Sequence, residues 1–440
     1  RRHAVRDFSV GGAMTANPFT FGNPIKDPAR FVGRQAEIRQ ITGRLLSSAR
    51  ESTSIVGERR MGKTSLLYHL AHPEVAAGLG LTSDRYCMVY IDFQGLTDIT
   101  PVRFWQRVLS KAARASCDAE LAGRFKEAAG RGELDLFDLE DLFTEVAERG
   151  LNLVMLLDEF EYVTQNPNFG SDFFGGLRAL AIHHNVSLIP ATRRELVDLC
   201  HSDEIKGSPF FNIFANVVLR PFPRGDGLKL VEGSLAEAGA DFPSEQRDFV
   251  QTLGGGHPFF LQMAGYYLVE GKDQGLTGEA LARYLEAEFS QQADPHFTYC
   301  WSHSSESEKI TLLTILALGQ AKPSKQNTPN LENLTRLHSR APLDSVSLIK
   351  RGLLEEANGV FALFSPSFGR WIGREVTAGP GEEEATADVE AWLTEGGLER
   401  LQPAKGALPK FKKKYWPIMG EVLKELSFEL IAGVALGKLL

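Results

Sequence analysis

Residues 54–70, SIVGERRMGKTSLLYHL, constrain this chain more than any other stretch. A short apolar run gives way to a glycine, four mixed residues, then Gly-Lys-Thr and a helix-forming tail. Gly57, Gly62, Lys63 and Thr64 complete G-x-x-x-x-G-K-T between a predicted strand and a predicted helix, the context this motif requires. The glycines allow a tight wrap, so the backbone N–H groups of Glu58, Arg59, Arg60, Met61 and Ser65 can face one concavity. The helix N-terminus adds partial positive charge at the same point. Such a cradle suits the phosphates of a nucleoside triphosphate, with Lys63 reaching the β- and γ-phosphates and the Thr64 hydroxyl ligating Mg²⁺.

The surroundings fit that cradle. Between residues 53 and 222, short apolar runs alternate with longer helical stretches: TSIVG (53–57), CMVYIDF (87–93), LNLVMLLD (151–158), VSLIPA (186–191) and NVVLRPF (216–222). Unbroken hydrophobicity is what a parallel sheet covered on both faces needs, and strands spaced by helices imply a doubly wound α/β core. From 224 to 295 the pattern is wholly helical. Residues 305–376 give helices and then LLEEANGVFALFSP, two strand-like runs around Asn358-Gly359, a hairpin signal; helices ending in a hairpin suggest a winged helix. A chain of 440 residues exceeds one typical core. The predicted units are a lead-in (1–26), a P-loop core (27–222), a helical lid (223–300), a winged helix (301–376), a Pro/Gly/Glu-rich linker (377–390) and a helical C-terminal segment (391–440).

Two further pieces belong with the cradle. LVMLLDEF (153–160) is an apolar strand ending in Asp158-Glu159. An acid at a buried strand end is costly without positive charge, and Mg²⁺ is its natural partner. Asp158 would hold the metal, together with Thr64, and Glu159 is placed to polarise an attacking water. The next strand ends PATRR, bringing Thr192 and Arg193 to the edge of the sheet where open α/β folds bind ligands. Arg193 is the candidate γ-phosphate sensor, since a guanidinium binds a terminal phosphate with two hydrogen bonds. Arg194 is the alternative for that role, or a contact to a neighbouring subunit.

The apolar share of 43% and charged share of 24% are those of ordinary globular proteins, and a net charge of −8 argues against a chain that is basic throughout. Cys87, Cys117, Cys200 and Cys300 are scattered without metal-ligand spacing, which predicts reduced thiols and a cytoplasmic compartment. The opening RRHAVRDFSVGGAM has twin arginines but no apolar h-region, so residues 1–13, ahead of Met14, read as an upstream extension rather than an export signal. No run reaches membrane-spanning length.

With these pieces assembled, residues 17–376 resemble the STAND class of P-loop ATPases, relatives of NB-ARC switch proteins and of origin-recognition-type AAA+ ATPases. FVGRQAE (31–37) matches the box that in the family lines the adenine and ribose, with NPFTFGNPIKDP as its lead-in. ATRR resembles the family's Thr-Arg sensor, and GGGHPFFLQ (254–262) its lid signature, whose proline packs on the base. LIKRGLLEEANGVFALFSPSFGRWI resembles its winged helix, although FSPSF stands where some relatives carry Met-His-Asp. The resemblance implies that Val32, Gly33, Arg34 and Pro258 contact the nucleotide. His257, beside that proline, is either a nucleotide-sensing or a packing residue.

Two functions follow. One is a switch in which ATP and ADP stabilise different arrangements of core, lid and winged helix and so gate self-assembly or an effector. The other is an origin-recognition-like ATPase whose winged helix reads duplex DNA. The predicted recognition helix, PLDSVSLIKRG, offers only Lys350 and Arg351 for phosphates, so the switch is favoured. In the last segment Lys410, Lys412, Lys413 and Lys414 beside Tyr415 and Trp416 lead into an apolar helix, which would pack on protein or, less favoured, on a membrane surface.

Overall fold

The computed structural model describes residues 17–202, 206–207, 209–239, 242–320, 325 and 328–377. The expected N-terminal extension, nearly all of the linker, and the basic-aromatic segment at 410–416 with its apolar helix lie outside the described residues.

Five strands, β1 (Thr53–Val56), β2 (Tyr86–Asp92), β3 (Asn152–Asp158), β4 (Val186–Thr192) and β5 (Ala215–Val218), form one parallel sheet in the order β2-β3-β4-β1-β5. These are the five apolar runs of the sequence, in the expected α/β fold. β1, β3 and β4 are buried along their whole length, as continuous hydrophobic sequence requires. β5 stops at Val218, short of the predicted 222. Leu219 N–H still donates to the Val56 carbonyl, but Pro221 and Pro223 have no N–H to extend the ladder.

Side chains alternate across β3 and divide the core between the sheet's two faces. Val154 and Leu156 pack with Ile38, Ile41 and Leu45 of α1 (Gln35–Leu45) and Leu66, Leu67 and Leu70 of α2 (Lys63–Ala71). Leu153, Met155 and Leu157 face the opposite cluster. There the helix Pro101–Ala115 presents Phe104, Trp105, Val108, Leu109 and Ala112 as one stripe, with Phe104 stacked on Phe93 at 5.4 Å. Thr100 caps this helix and Pro101 opens it, so its start is written in the sequence.

A third cluster joins the helices Arg224–Ala238, Ser244–Gly254, Pro258–Asp273 and Gly278–Ser302 to the C-terminal helices Glu306–Gln320, Ala341–Lys350 and Pro366–Thr377. The helix Gly278–Ser302 runs through the expected boundary at 300 despite Pro295 inside it. The predicted hairpin is β6 (Leu354–Ala357) paired antiparallel with β7 (Val360–Leu363). Its two-residue turn needs positive φ, supplied by Asn358 (53°) and Gly359 (76°). Gly255, at φ 57°, threads so close to the C-terminal module that a Cβ there would run into the Phe364 carbonyl.

Among the described residues, no helix is long and apolar enough to cross a membrane. All four cysteines are free.

Candidate functional site

The strand–loop–helix at 53–71 builds the cradle. Gly62, at φ 92°, turns the chain into α2 with Lys63 as its first residue. The buried Lys63 ammonium donates to the carbonyls of Gly57 (2.8 Å) and Glu58 (3.3 Å), folding the lysine over its own loop. Thr64 follows, half-buried, and Ser65 Oγ accepts from the Ile25 N–H at 3.0 Å, fixing the lead-in against the helix start. Arg60 adopts φ 68°, donates to the Gly22 carbonyl and lies 5.1 Å over the Phe259 ring. Arg59 lies 5.7 Å over Tyr299. Met61 is buried.

Asp158 ends β3 beneath this loop, 1% exposed. Its carboxylate accepts from the Tyr90 hydroxyl of β2 at 3.0 Å, and the neighbouring Thr64 hydroxyl favours its charged form. Burial pushes the Asp158 carboxyl up despite those donors and the nearby Lys63. A hydroxyl beside a desolvated carboxylate forms the hard oxygen set that Mg²⁺ takes, so Thr64 and Asp158 fit that ion. Glu159 holds a left-handed backbone (φ 52°), uncommon for a residue with a side chain. Burial first, and then the Glu161 carboxylate, push Glu159 above the ordinary carboxylate range.

Arg193 emerges one residue beyond β4. Its Nε donates to Glu161 Oε1 at 2.8 Å and its Nη1 to the Tyr299 hydroxyl at 3.3 Å. Here it bridges the sheet's edge and the helix Gly278–Ser302. Thr192 Oγ1 turns back to the Arg194 carbonyl at 2.7 Å, shaping the loop.

The 32–34 box lies beside the loop's far side. Val32 packs on the third hydrophobic cluster. Gly33, at φ 76°, leaves 3.1 Å between a hypothetical Cβ and the Phe222 ring. Arg34 is buried and donates to Glu37 and to the carbonyls of Arg220 (2.7 Å) and Met61 (3.1 Å), so its guanidinium clamps the cradle to the end of the sheet. Pro258 opens the helix Pro258–Asp273, and the next residue, Phe259, meets Arg60, Phe21 and His296. His257 is buried between Phe260 and Phe364. Burial, with His296 and Arg34 nearby, lowers it to about 3, which keeps the ring neutral.

The structure thus gathers Lys63, Thr64, Asp158, Glu159 and Arg193 at the C-terminal edge of one parallel sheet. Sequence reasoning passed over Tyr90, Glu161, Tyr299 and Glu308, and it gave Arg351 a different part. Glu161 had a signal, being the third acid in Asp158-Glu159-Phe160-Glu161. Tyr299 had none, because a tyrosine on a long helix does not say which neighbour it faces. Lys350 and Arg351, read as the winged helix's phosphate contacts, are occupied within the chain. Arg351 Nε donates to Glu58 Oε1 of the cradle at 2.8 Å, and its Nη1 to Glu308 (3.0 Å) and Ser304 (3.1 Å); Lys350 pairs with Glu195 at 3.1 Å. They form no free basic face.

A glycine-rich cradle, a buried aspartate beside the helix's first hydroxyl and a five-stranded parallel sheet define a P-loop NTPase. Residues 44–320 match the family described as novel STAND NTPase 2, and the chain belongs to that family. Among curated proteins none matches this sequence. Two of the solved structures that share the fold match over nearly their whole length; one is a Walker-type ATPase of Pyrococcus abyssi (15% identity, TM-score 0.52, covering 80% of this chain and 98% of that one). The other is the ORC2 protein of Aeropyrum pernix in ADPNP–ADP complexes (15% identity, TM-score 0.52, covering 87% of this chain and 99% of that one).

Proposed function

We propose that this chain binds and slowly hydrolyses ATP with Mg²⁺ and acts as a switch, its nucleotide state setting how the C-terminal module sits on the core and hence self-assembly or effector access. Lys63 and Arg193 bind the terminal phosphates, and Thr64 and Asp158 hold the ion, which when bound screens phosphate charge. Glu159 takes a proton from the attacking water, and its raised affinity for protons suits a base. Val32, Gly33 and Pro258 border the base and sugar. The reading includes a cytoplasmic location, consistent with four free cysteines.

The observation that carries the switch is the Arg351–Glu58 pair. Glu58 is the first residue after Gly57 in the phosphate loop, and Arg351 closes the helix Ala341–Lys350 of the predicted winged helix. Any phosphate entering the loop changes the electrostatics of the residue that anchors the distant module. A fluorescent pair spanning core and module, in full-length Glu159→Gln protein, should change its transfer efficiency between saturating ADP and saturating ATP. Identical efficiency in both states would remove the switch. The DNA-binding alternative needs Lys350 and Arg351 free; salt-sensitive duplex binding that disappears in a Lys350→Ala/Arg351→Ala variant would restore it.

A further inference from the structure

We propose that Tyr299 reports the terminal phosphate to the lid, because its hydroxyl holds the end of the Arg193 guanidinium that a γ-phosphate would take. The inference rests on the nucleotide-site reading above and adds a residue from the lid to it.

A guanidinium offers a side edge, Nε with Nη2, and an end, Nη1 with Nη2. Glu161 takes Arg193 by the side edge, through Nε to Oε1 at 2.8 Å. Tyr299 takes it through Nη1, one of the two nitrogens of the end, at 3.3 Å. Bidentate capture of a phosphate needs that end, so phosphate and Tyr299 compete for it while Glu161 does not.

Glu161 is built for the exchange. Its side chain is 1% exposed, and its second oxygen, Oε2, is buried with no hydrogen-bond partner. An orphaned buried carboxylate oxygen is costly. A small rotation of Arg193 away from Tyr299 would bring Nη2 to it, giving a two-bond fork on Glu161 and freeing Nη1 for a phosphate oxygen. Each of the two arrangements leaves a different acceptor or donor unpaired, which is the balance a two-state element requires.

Tyr299 is positioned to pass the change on. It sits on the helix Gly278–Ser302, stacked on His303 at 3.9 Å with the Arg59 guanidinium 5.7 Å from its ring. The adjacent Cys300 carbonyl accepts from Arg351 at 3.4 Å, so movement at Tyr299 reaches the module's anchor one residue away.

The test compares the affinity of the full chain for ADP and for a non-hydrolysable ATP analogue, both with Mg²⁺, by calorimetry. Tyr299→Phe removes the competing hydroxyl and keeps the ring. It should tighten the ATP analogue about fivefold, the value of one hydrogen bond, and leave ADP unchanged. Arg193→Ala should abolish the preference, and adding Tyr299→Phe to it should change nothing. Equal changes for the two nucleotides in Tyr299→Phe, or an undiminished effect in the Arg193→Ala background, overturn the proposal while leaving the nucleotide site intact. Absence of any binding by the wild type overturns both.

Discussion

The Arg351–Glu58 contact gives the sharpest prediction. Arg351 is 11% exposed, and its two carboxylate partners, Glu58 and Glu308, are 13% and 10% exposed. Removing one partner of a buried ion pair costs about 3–5 kcal/mol. Substituting methionine keeps the packed stem, and Arg351, Glu58 and Glu308 are each still 10–13% exposed, so the cost for module opening falls below that range, at about 2 kcal/mol. That corresponds to a roughly 30-fold rise in the open population. Cys300 reads it directly, because burial, with Glu58 adding to it, raises this thiol to about 12, and Arg351 covers its carbonyl. Cys300 is half-buried in the closed form, so its labelling by a thiol reagent should accelerate by up to about 30-fold in Arg351→Met, with exposed Cys117 as internal control. Glu58→Gln should accelerate it less, and the double variant should label no faster than Arg351→Met, because both remove one contact. Acceleration below twofold, or fully additive effects, would show that the contact does not hold the module.

Other expectations follow from the same geometry. Glu159→Gln should bind ATP but turn over at least about 100-fold more slowly, and equal turnover would remove Glu159 as the base. Because Asp158 and Glu159 are both raised in the folded protein, the folded state binds the extra protons. The nucleotide-free chain should therefore gain stability as pH falls from 8 toward the ordinary carboxylate range, a gain that is lost as pH rises through the elevated folded values. Glu159→Gln should reduce that slope, and an unchanged melting profile across pH would contradict the assignment. Gly255→Ala combines a strained φ with a Cβ blocked by the Phe364 carbonyl. It should lower stability by about 2 kcal/mol or more and expose Cys300 as Arg351→Met does; a variant of wild-type stability and Cys300 labelling would show that the lid turn and module are not wedged together.

The sheet was legible because parallel strands buried on both faces must be apolar throughout, and that signal survives in one sequence. The phosphate cradle was legible for a related reason: its chemistry needs glycine and lysine at fixed local spacing. Asp158 was readable as an acid closing an apolar run. Contacts made across the fold were not. Nothing local says that Arg351 reaches Glu58, or that Arg193 meets Tyr299, since such pairs depend on how lid and module dock. Lys350 and Arg351 stand in the sequence as the helix's only candidates for phosphate contacts, and it is the docked core that supplies Glu195 and Glu58 as their partners. Nor does the box that contains Arg34 say that its buried guanidinium also holds the Arg220 and Met61 carbonyls, contacts made across the fold.

The central claim is that the loop at 57–64 holds a nucleoside triphosphate with its ion at the rim of the sheet. Calorimetric titration of the purified chain with Mg²⁺-ATP, alongside Lys63→Ala, tests it most directly. The account predicts a single site in the wild type and a loss of at least about 100-fold in affinity when the Lys63 charge is removed. Equal affinity in the two proteins, or no heat from either, would contradict it.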